Sequence, residues 1–224
     1  MFEGLLEYLK EKLPQKIIDG GYNSYEIFGK EAEKPISELI EEFLTLSRIN
    51  YIPRRAETKN DFPDLEVKIN GIKYALEHKA GTCNIKGDLK HSAANDMGTI
   101  NAYPEKLENY GDNIYCTFVK YSVLMNDTIR IEDIYFDKIY KFIGRGSGFN
   151  NQLQYREKDG NLRPKTWADM ANNRNYFSTF SQFQEALVAT AQYRSERIAL
   201  KHIEGLERDS LERIRDHINT LLNR

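Results

Sequence analysis

Residues 63–79 hold two acids and a lysine at spacings that let them meet: Pro63-Asp64-Leu65-Glu66-Val67-Lys68-Ile69-Asn70-Gly71-Ile72-Lys73-Tyr74-Ala75-Leu76-Glu77-His78-Lys79. Asn-Gly is a strong signal for a two-residue hairpin, because a type I′ turn needs positive φ at both positions. With Asn70-Gly71 as the loop, Ile69 faces Ile72, Val67 faces Tyr74 and Leu65 faces Leu76. One face is then apolar throughout, so the register is self-consistent. The same register sets Asp64 opposite Glu77 with their Cβ atoms about 5 Å apart. Lys79 lies two residues beyond Glu77 and shares its face. Opposed carboxylates destabilise a sheet unless a cation compensates. Hard oxygen donors, completed by water and phosphate oxygens, suit Mg²⁺, and the backbone carbonyl of His78 adds a candidate metal ligand between the two motif side chains. Such an ion acidifies water and neutralises charge on phosphate. Lys79 is placed to position or help deprotonate the attacking water and to stabilise developing charge. The bland alternative is a hairpin whose polar face merely meets water, and a β-bulge in either strand would break the register.

The flanking pattern supplies elements to hold that hairpin. Residues 3–19 suit a short helix ending at Gly20-Gly21. Residues 36–49 form an amphipathic helix with Ile36, Leu39, Ile40, Phe43, Leu44 and Ser47 on one face and Pro35 in its first turn. Glu33, on the face of Ile36 and Ile40 if the helix begins early, is the candidate helical acid, with Glu38 as the alternative. Residues 91–110 are expected to be helical in part, 114–124 a core strand, and 128–143 a further strand with a short helix or turn. Residues 144–175 are polar, with a second hairpin signal at Asp159-Gly160. Residues 178–200 and 203–222 suit two helices separated near Gly205 or shortly before it. The fold class is mixed α/β. The His78 side chain alternates away from the acidic face and is expected to pack beside Leu76. Cys83 reads as a structural thiol, and Asp61 is a rival to Asp64.

The 224-residue chain is 40% hydrophobic and 29% charged, a globular composition with enough apolar material for a core. It lacks an apolar run long enough for a transmembrane helix, and its N-terminus does not read as a secretory signal. Two cysteines make neither a disulfide framework nor a zinc cluster, so a reducing cytoplasm is expected. The net charge is −2, but residues 141–174 hold seven Lys or Arg against three acids, a local +4.

Pro63-Asp64 followed by Glu77-His78-Lys79 resembles the PD-(D/E)xK nuclease superfamily, which includes most type II restriction endonucleases. The resemblance runs from Glu33 to about Val123. It implies Asp64 and Glu77 as metal ligands, Lys79 as the catalytic lysine, and a supporting acid on the preceding helix, here Glu33. It also implies a restriction endonuclease-like core, a central mixed sheet flanked by helices, with C-terminal helices added. Residues 1–224 are then one nuclease domain, with 144–175 a DNA-recognition insertion and 178–222 a helical C-terminal part. The implied activity is that of a type II site-specific deoxyribonuclease: Mg²⁺-dependent hydrolysis of double-stranded DNA at a short sequence, by a homodimer with no membrane association. A structure-specific or repair nuclease of the same superfamily and a non-enzymatic DNA-binding module are the rivals.

Two polar segments are candidate DNA-binding surfaces. In the first, Lys86, Lys90 and Ser92 suit phosphates and Asn95 a base or phosphate. In the second, Arg145, Asn150, Asn151, Gln152, Gln154, Arg156, Lys158, Arg163 and Lys165 offer guanine- and adenine-reading groups. A two-residue turn at Asp159-Gly160 would display Arg156, Lys158, Arg163 and Lys165 near a ribbon tip.

Overall fold

A computed structural model describes residues 1–58, 61–83, 96–146 and 152–222, with side chains through residue 216. Five strands form one sheet in sequence order: β1 (Ile52–Arg55), β2 (Leu65–Ile69), β3 (Ile72–Thr82), β4 (Ile114–Val123) and β5 (Ile129–Lys138). Only β3 and β4 run parallel; the other neighbours are antiparallel. Asn70 and Gly71 have φ of 50° and 83°, the two positive values that the turn requires. The register is the one the sequence implies, with Leu65 opposite Leu76, Val67 opposite Tyr74 and Ile69 opposite Ile72.

Alternation along β2 and β3 divides the core in two. Leu65, Val67, Leu76 and Val119 pack beneath α1 (Leu5–Asp19), α2 (Tyr25–Glu31) and α3 (Glu33–Leu46). Helix α1 buries Leu5, Leu9, Leu13 and Ile17, a four-residue repeat on one face. Helix α3 buries Ile36, Leu39, Ile40 and Leu44. It starts at Glu33, which leaves Pro35 in the first turn, where its missing N–H breaks no helical bond. On the opposite face, Ala75, Cys116 and Phe118 join α4 (Tyr103–Tyr110), α5 (Trp167–Ala171) and the first turns of α6 (Phe180–Leu222). Among the described residues, no helix is long and apolar enough to cross a membrane.

Two expectations are corrected. The C-terminal region is one helix of 43 residues that runs through Gly205. A glycine costs a helix about 1 kcal/mol relative to alanine, which the helix formers around Gly205 absorb; nothing lies within 4 Å of where its Cβ would be. The turn at Asp159-Gly160 is also not a two-residue one: only Gly160 has positive φ. Arg156 N–H donates to Asn161 O and Gly160 N–H to Arg156 O, each at 2.8 Å, so the loop spans residues 157–160. Asp159 sets this shape by accepting from Asn161 N–H at 3.1 Å and from the Arg156 guanidinium.

The polar segment is anchored from below. Leu153, Leu162 and Trp167 are buried, and isolated bridges join Arg145 to Leu153 and Tyr155 to Leu162. Trp167 meets Phe118 edge-on at 5.2 Å and stacks on Tyr135 at 6.2 Å. Helix α5 begins there because Thr166 caps it, its Oγ1 accepting from Asp169 N–H at 3.1 Å. Trp167→Ala is expected to cost about 3–5 kcal/mol of stability, measured by urea denaturation followed by circular dichroism. A loss below 1 kcal/mol would mean that the anchor lies elsewhere.

Candidate active site

The hairpin brings the three motif side chains together. The His78 N–H donates to Asp64 Oδ2 at 2.6 Å, which ties the residue before β2 to β3. Lys79 Nζ donates to Glu77 Oε1 at 2.6 Å. The Glu77 and Lys79 side chains are 13% and 17% exposed, so this is not a polar face bathed in water. Glu77 Oε2 is buried and has no hydrogen-bond partner among the described residues. Leaving a buried carboxylate oxygen unpaired is costly; His78 Nδ1, Thr117 Oγ1 and Arg194 Nε are likewise buried without a partner among the described residues.

The electrostatics follow from crowding. Burial and the neighbouring Glu77 push the Asp64 carboxyl up to about 8, with Glu33 adding to the effect while Lys79 and the His78 N–H oppose it. Burial disfavours a charged Lys79, but Glu77 and Asp64 outweigh it and hold the ammonium above its ordinary range. Glu33 opens α3 near enough to act on Asp64. The alternative, Glu38, is turned away, paired with Lys16 at 2.8 Å.

Other nearby groups are accounted for structurally. Asp61 accepts from the N–H groups of Glu57 and Thr58 and from the Thr58 hydroxyl at 2.9–3.0 Å, closing its own loop. The His78 ring is buried on the α3 side, its Nε2 3.1 Å from Ser37 Oγ. Burial lowers its pKa to about 3, so the ring stays neutral. Cys116 is buried beside the site and burial raises its thiol pKa; Cys83 is likewise raised by burial.

A cleft of about 1040 Å³ opens on this face, with Phe62, Glu66, Glu77, Asp96, Lys106 and Tyr110 among its lining. Glu66 accepts from Tyr110 Oη at 2.5 Å and lies 3.5 Å from the Arg54 guanidinium. Lys106 carries no motif signal in the sequence. Only the packing of α4 over β3 puts it near Asp64 and Glu77.

The proposed DNA contacts separate into groups. Lys86, Lys90, Ser92, Asn95, Asn150 and Asn151 lie outside the described residues. Arg145 and Lys158 are exposed and Gln154 is half-buried. Arg156 and Arg163 grip Asp96 at 2.8 and 2.6 Å. Those pairs, with Met97 N–H to Leu162 O and Leu162 N–H to Gly98 O at 2.9 Å, fasten the ribbon to the cleft's rim. Gln152 is buried. Lys165 is corrected from an exposed tip to a buried position. Its Nζ donates to Arg174 O at 3.0 Å, and burial lowers its pKa to about 8.

The fold is similar to that of NlaIV restriction endonuclease, with a TM-score of 0.52 at 15% sequence identity, over 82% of this chain and 79% of that one. No curated protein sequence matches the chain significantly. Residues 32–219, from just before Glu33 into the last turns of α6, match the family described as NgoBV restriction endonuclease. With that match extending over most of its length, the chain belongs to the NgoBV restriction endonuclease family.

Proposed function

We propose that the protein is a type II restriction endonuclease that uses Mg²⁺ to cut double-stranded DNA at a short sequence, as a homodimer. The observation that carries the reading is the buried Glu77 Oε2 beside Asp64, without a hydrogen-bond partner among the described residues, with Lys79 held 2.6 Å from the other Glu77 oxygen. That donor set fits a hard divalent cation. An unpaired carboxylate oxygen and a neighbouring carboxyl raised by crowding both gain from added positive charge. Among the described residues no three His, Cys, Asp or Glu side chains form a ready-made cage. Asp64, Glu77 and the His78 carbonyl would hold the ion, leaving positions for water and phosphate. When bound, the ion supplies Lewis acidity and neutralises charge on the phosphate.

The chain's own groups do the rest. Lys79, kept protonated by the two carboxylates, donates hydrogen bonds to the attacking water or a phosphate oxygen and offsets negative charge as it develops. It is a poor proton acceptor in this setting. Glu33 adds negative potential beside Asp64. Residues 144–175 serve as the recognition part, with Arg145, Gln154 and Lys158 as accessible contacts. Arg156 and Arg163 give up or share Asp96 when DNA arrives. The two free thiols fit a reducing cytoplasm.

The dimer is supported by α6. Leu200, Ile203, Leu206, Leu211 and Ile214 are each 50% or more exposed, and they form a stripe along the helix's outer half. A stripe of that length in water suits burial against a second copy. Leu211→Glu with Ile214→Glu is expected to halve the mass measured by sedimentation; a wild-type chain already monomeric at micromolar concentration would remove the dimer. The activity is tested by incubating the whole protein with a long defined duplex and Mg²⁺ and mapping the ends. Discrete fragments with a common terminal sequence are expected. Intact DNA across a range of substrates would overturn the reading.

A further inference from the structure

Lys106 occupies a setting that the functional reading leaves unused. Its Nζ sits 3.6 Å above the centre of the Phe62 ring and 5.5 Å from that of Tyr103. Phe62 and Lys106 line the same cleft as Glu77, and Phe62 stands two residues before Asp64 in the chain. A Cβ on Gly98 would stand 3.0 Å from the ammonium. The glycine, at φ 92°, leaves room for the lysine head over its backbone. Lys106 is half-buried, and no carboxylate among the described residues lies within ion-pair distance of Nζ. Lys79, by contrast, is locked onto Glu77. Burial lowers the Lys106 pKa, and the charges that act on it are those of Glu77, Lys79 and Asp64.

An ammonium held between two aromatic faces at the mouth of an acidic site has its stem and seat organised, and among the described residues it is in no ion pair. Aromatic faces stabilise a cation without consuming its hydrogen bonds, so its three N–H donors remain available to an anion. The anion that a DNA-cutting cleft receives is a phosphodiester. We propose that Lys106 is a second substrate-contacting lysine, which donates to a non-bridging oxygen of the phosphate presented to the Asp64–Glu77 pair. The inference rests on the nuclease reading of that cleft. It divides labour between two lysines. Lys79 works from within the carboxylate pair, and Lys106 meets the phosphate from α4, opposite β3.

The test compares Lys106→Gln, Lys106→Met and Lys106→Arg in the full chain. Melting temperatures establish that each variant is folded, and Met keeps an apolar stem over Phe62 if Gln does not fold. Single-turnover cleavage of a cognate duplex with Mg²⁺ is expected to slow about 100-fold in the neutral variants and to be largely retained in the Arg variant. Duplex binding without divalent ion is expected to weaken, and the slope of log affinity against log salt to fall by about one. A duplex carrying a neutral methylphosphonate at the cut position should bind wild type and Lys106→Gln alike. Wild-type cleavage rate and salt slope in the neutral variants would overturn the proposal. So would an Arg variant as slow as Gln, because the role would then be packing. If wild type cuts no duplex, the nuclease reading fails separately, and the binding arm still decides whether Lys106 touches phosphate.

Discussion

Glu77→Gln is expected to reduce cleavage of duplex DNA by at least about 1000-fold while the protein remains folded and bound to its substrate. Glutamine is the informative replacement. Glu77→Ala would strand the Lys79 ammonium, which is only 17% exposed and loses its 2.6 Å partner. Breaking a buried pair in that way costs about 3–5 kcal/mol, so lost activity would be confounded with lost fold. Glutamine keeps an oxygen for Lys79 and replaces the unpartnered Oε2 with an amide nitrogen, which repels a cation. Lys79→Gln should give a comparable loss with binding kept, since it removes the ammonium without moving the carboxylates out of the site. Single-turnover rates and a gel-shift assay on the same duplex check both variants. Wild-type turnover in either would leave the Asp64–Glu77–Lys79 arrangement without a catalytic role.

Asp64→Asn is expected to abolish cleavage and yet stabilise the metal-free protein at alkaline pH. Asp64 is pushed up to about 8 in the fold, whereas an unperturbed aspartate lies near 3.9. A carboxyl with a raised folded pKa favours the fold fully below its unfolded pKa. The advantage declines as pH rises through the interval and is gone above the folded pKa. Wild-type stability without metal should therefore fall relative to Asp64→Asn between about pH 4 and pH 8. The variant's gain should vanish near pH 4 and be largest near pH 8.5. Asparagine is neutral throughout and its oxygen still accepts the His78 N–H that Asp64 accepts at 2.6 Å. Adding Mg²⁺ at pH 8.5 should raise the melting temperature of wild type by more than that of the variant, because the variant has lost one of the two carboxylates that would hold the ion. Parallel pH profiles for the two proteins, or equal Mg²⁺ stabilisation of both, would contradict a crowded carboxylate at residue 64.

Local signals governed what was legible in the sequence. The hairpin register follows from a two-residue turn and a period-two apolar pattern, both contained within sixteen residues of chain, so Asp64, Glu77 and Lys79 were locatable before any fold was known. Periodicity likewise exposed α3, the Gly20-Gly21 break marked the end of α1, and the Tyr, Phe, Val and Thr content of residues 114–124 exposed β4. Helix α2 (Tyr25–Glu31), β1 (Ile52–Arg55) and α5 (Trp167–Ala171) were not legible, because four to seven residues hold too little of a repeat. Gly205 was misleading for a different reason: glycine weakens a helix without forbidding it.

The sequence by itself determined the hairpin that carries Asp64, Glu77 and Lys79, the alternation that buries one of its faces, and the charge surplus of the 141–174 region. Tertiary structure alone decided which charges remain available. Asp96 captures Arg163 across 67 residues and Arg156 across 60, Lys165 is drawn inside against Arg174, and Lys106 is carried on α4 to the mouth of the acidic site. The physical reason is one of range. Turn chemistry and side-chain alternation act between neighbours along the chain, whereas the partner and burial of a long charged side chain depend on segments that only the completed fold brings alongside.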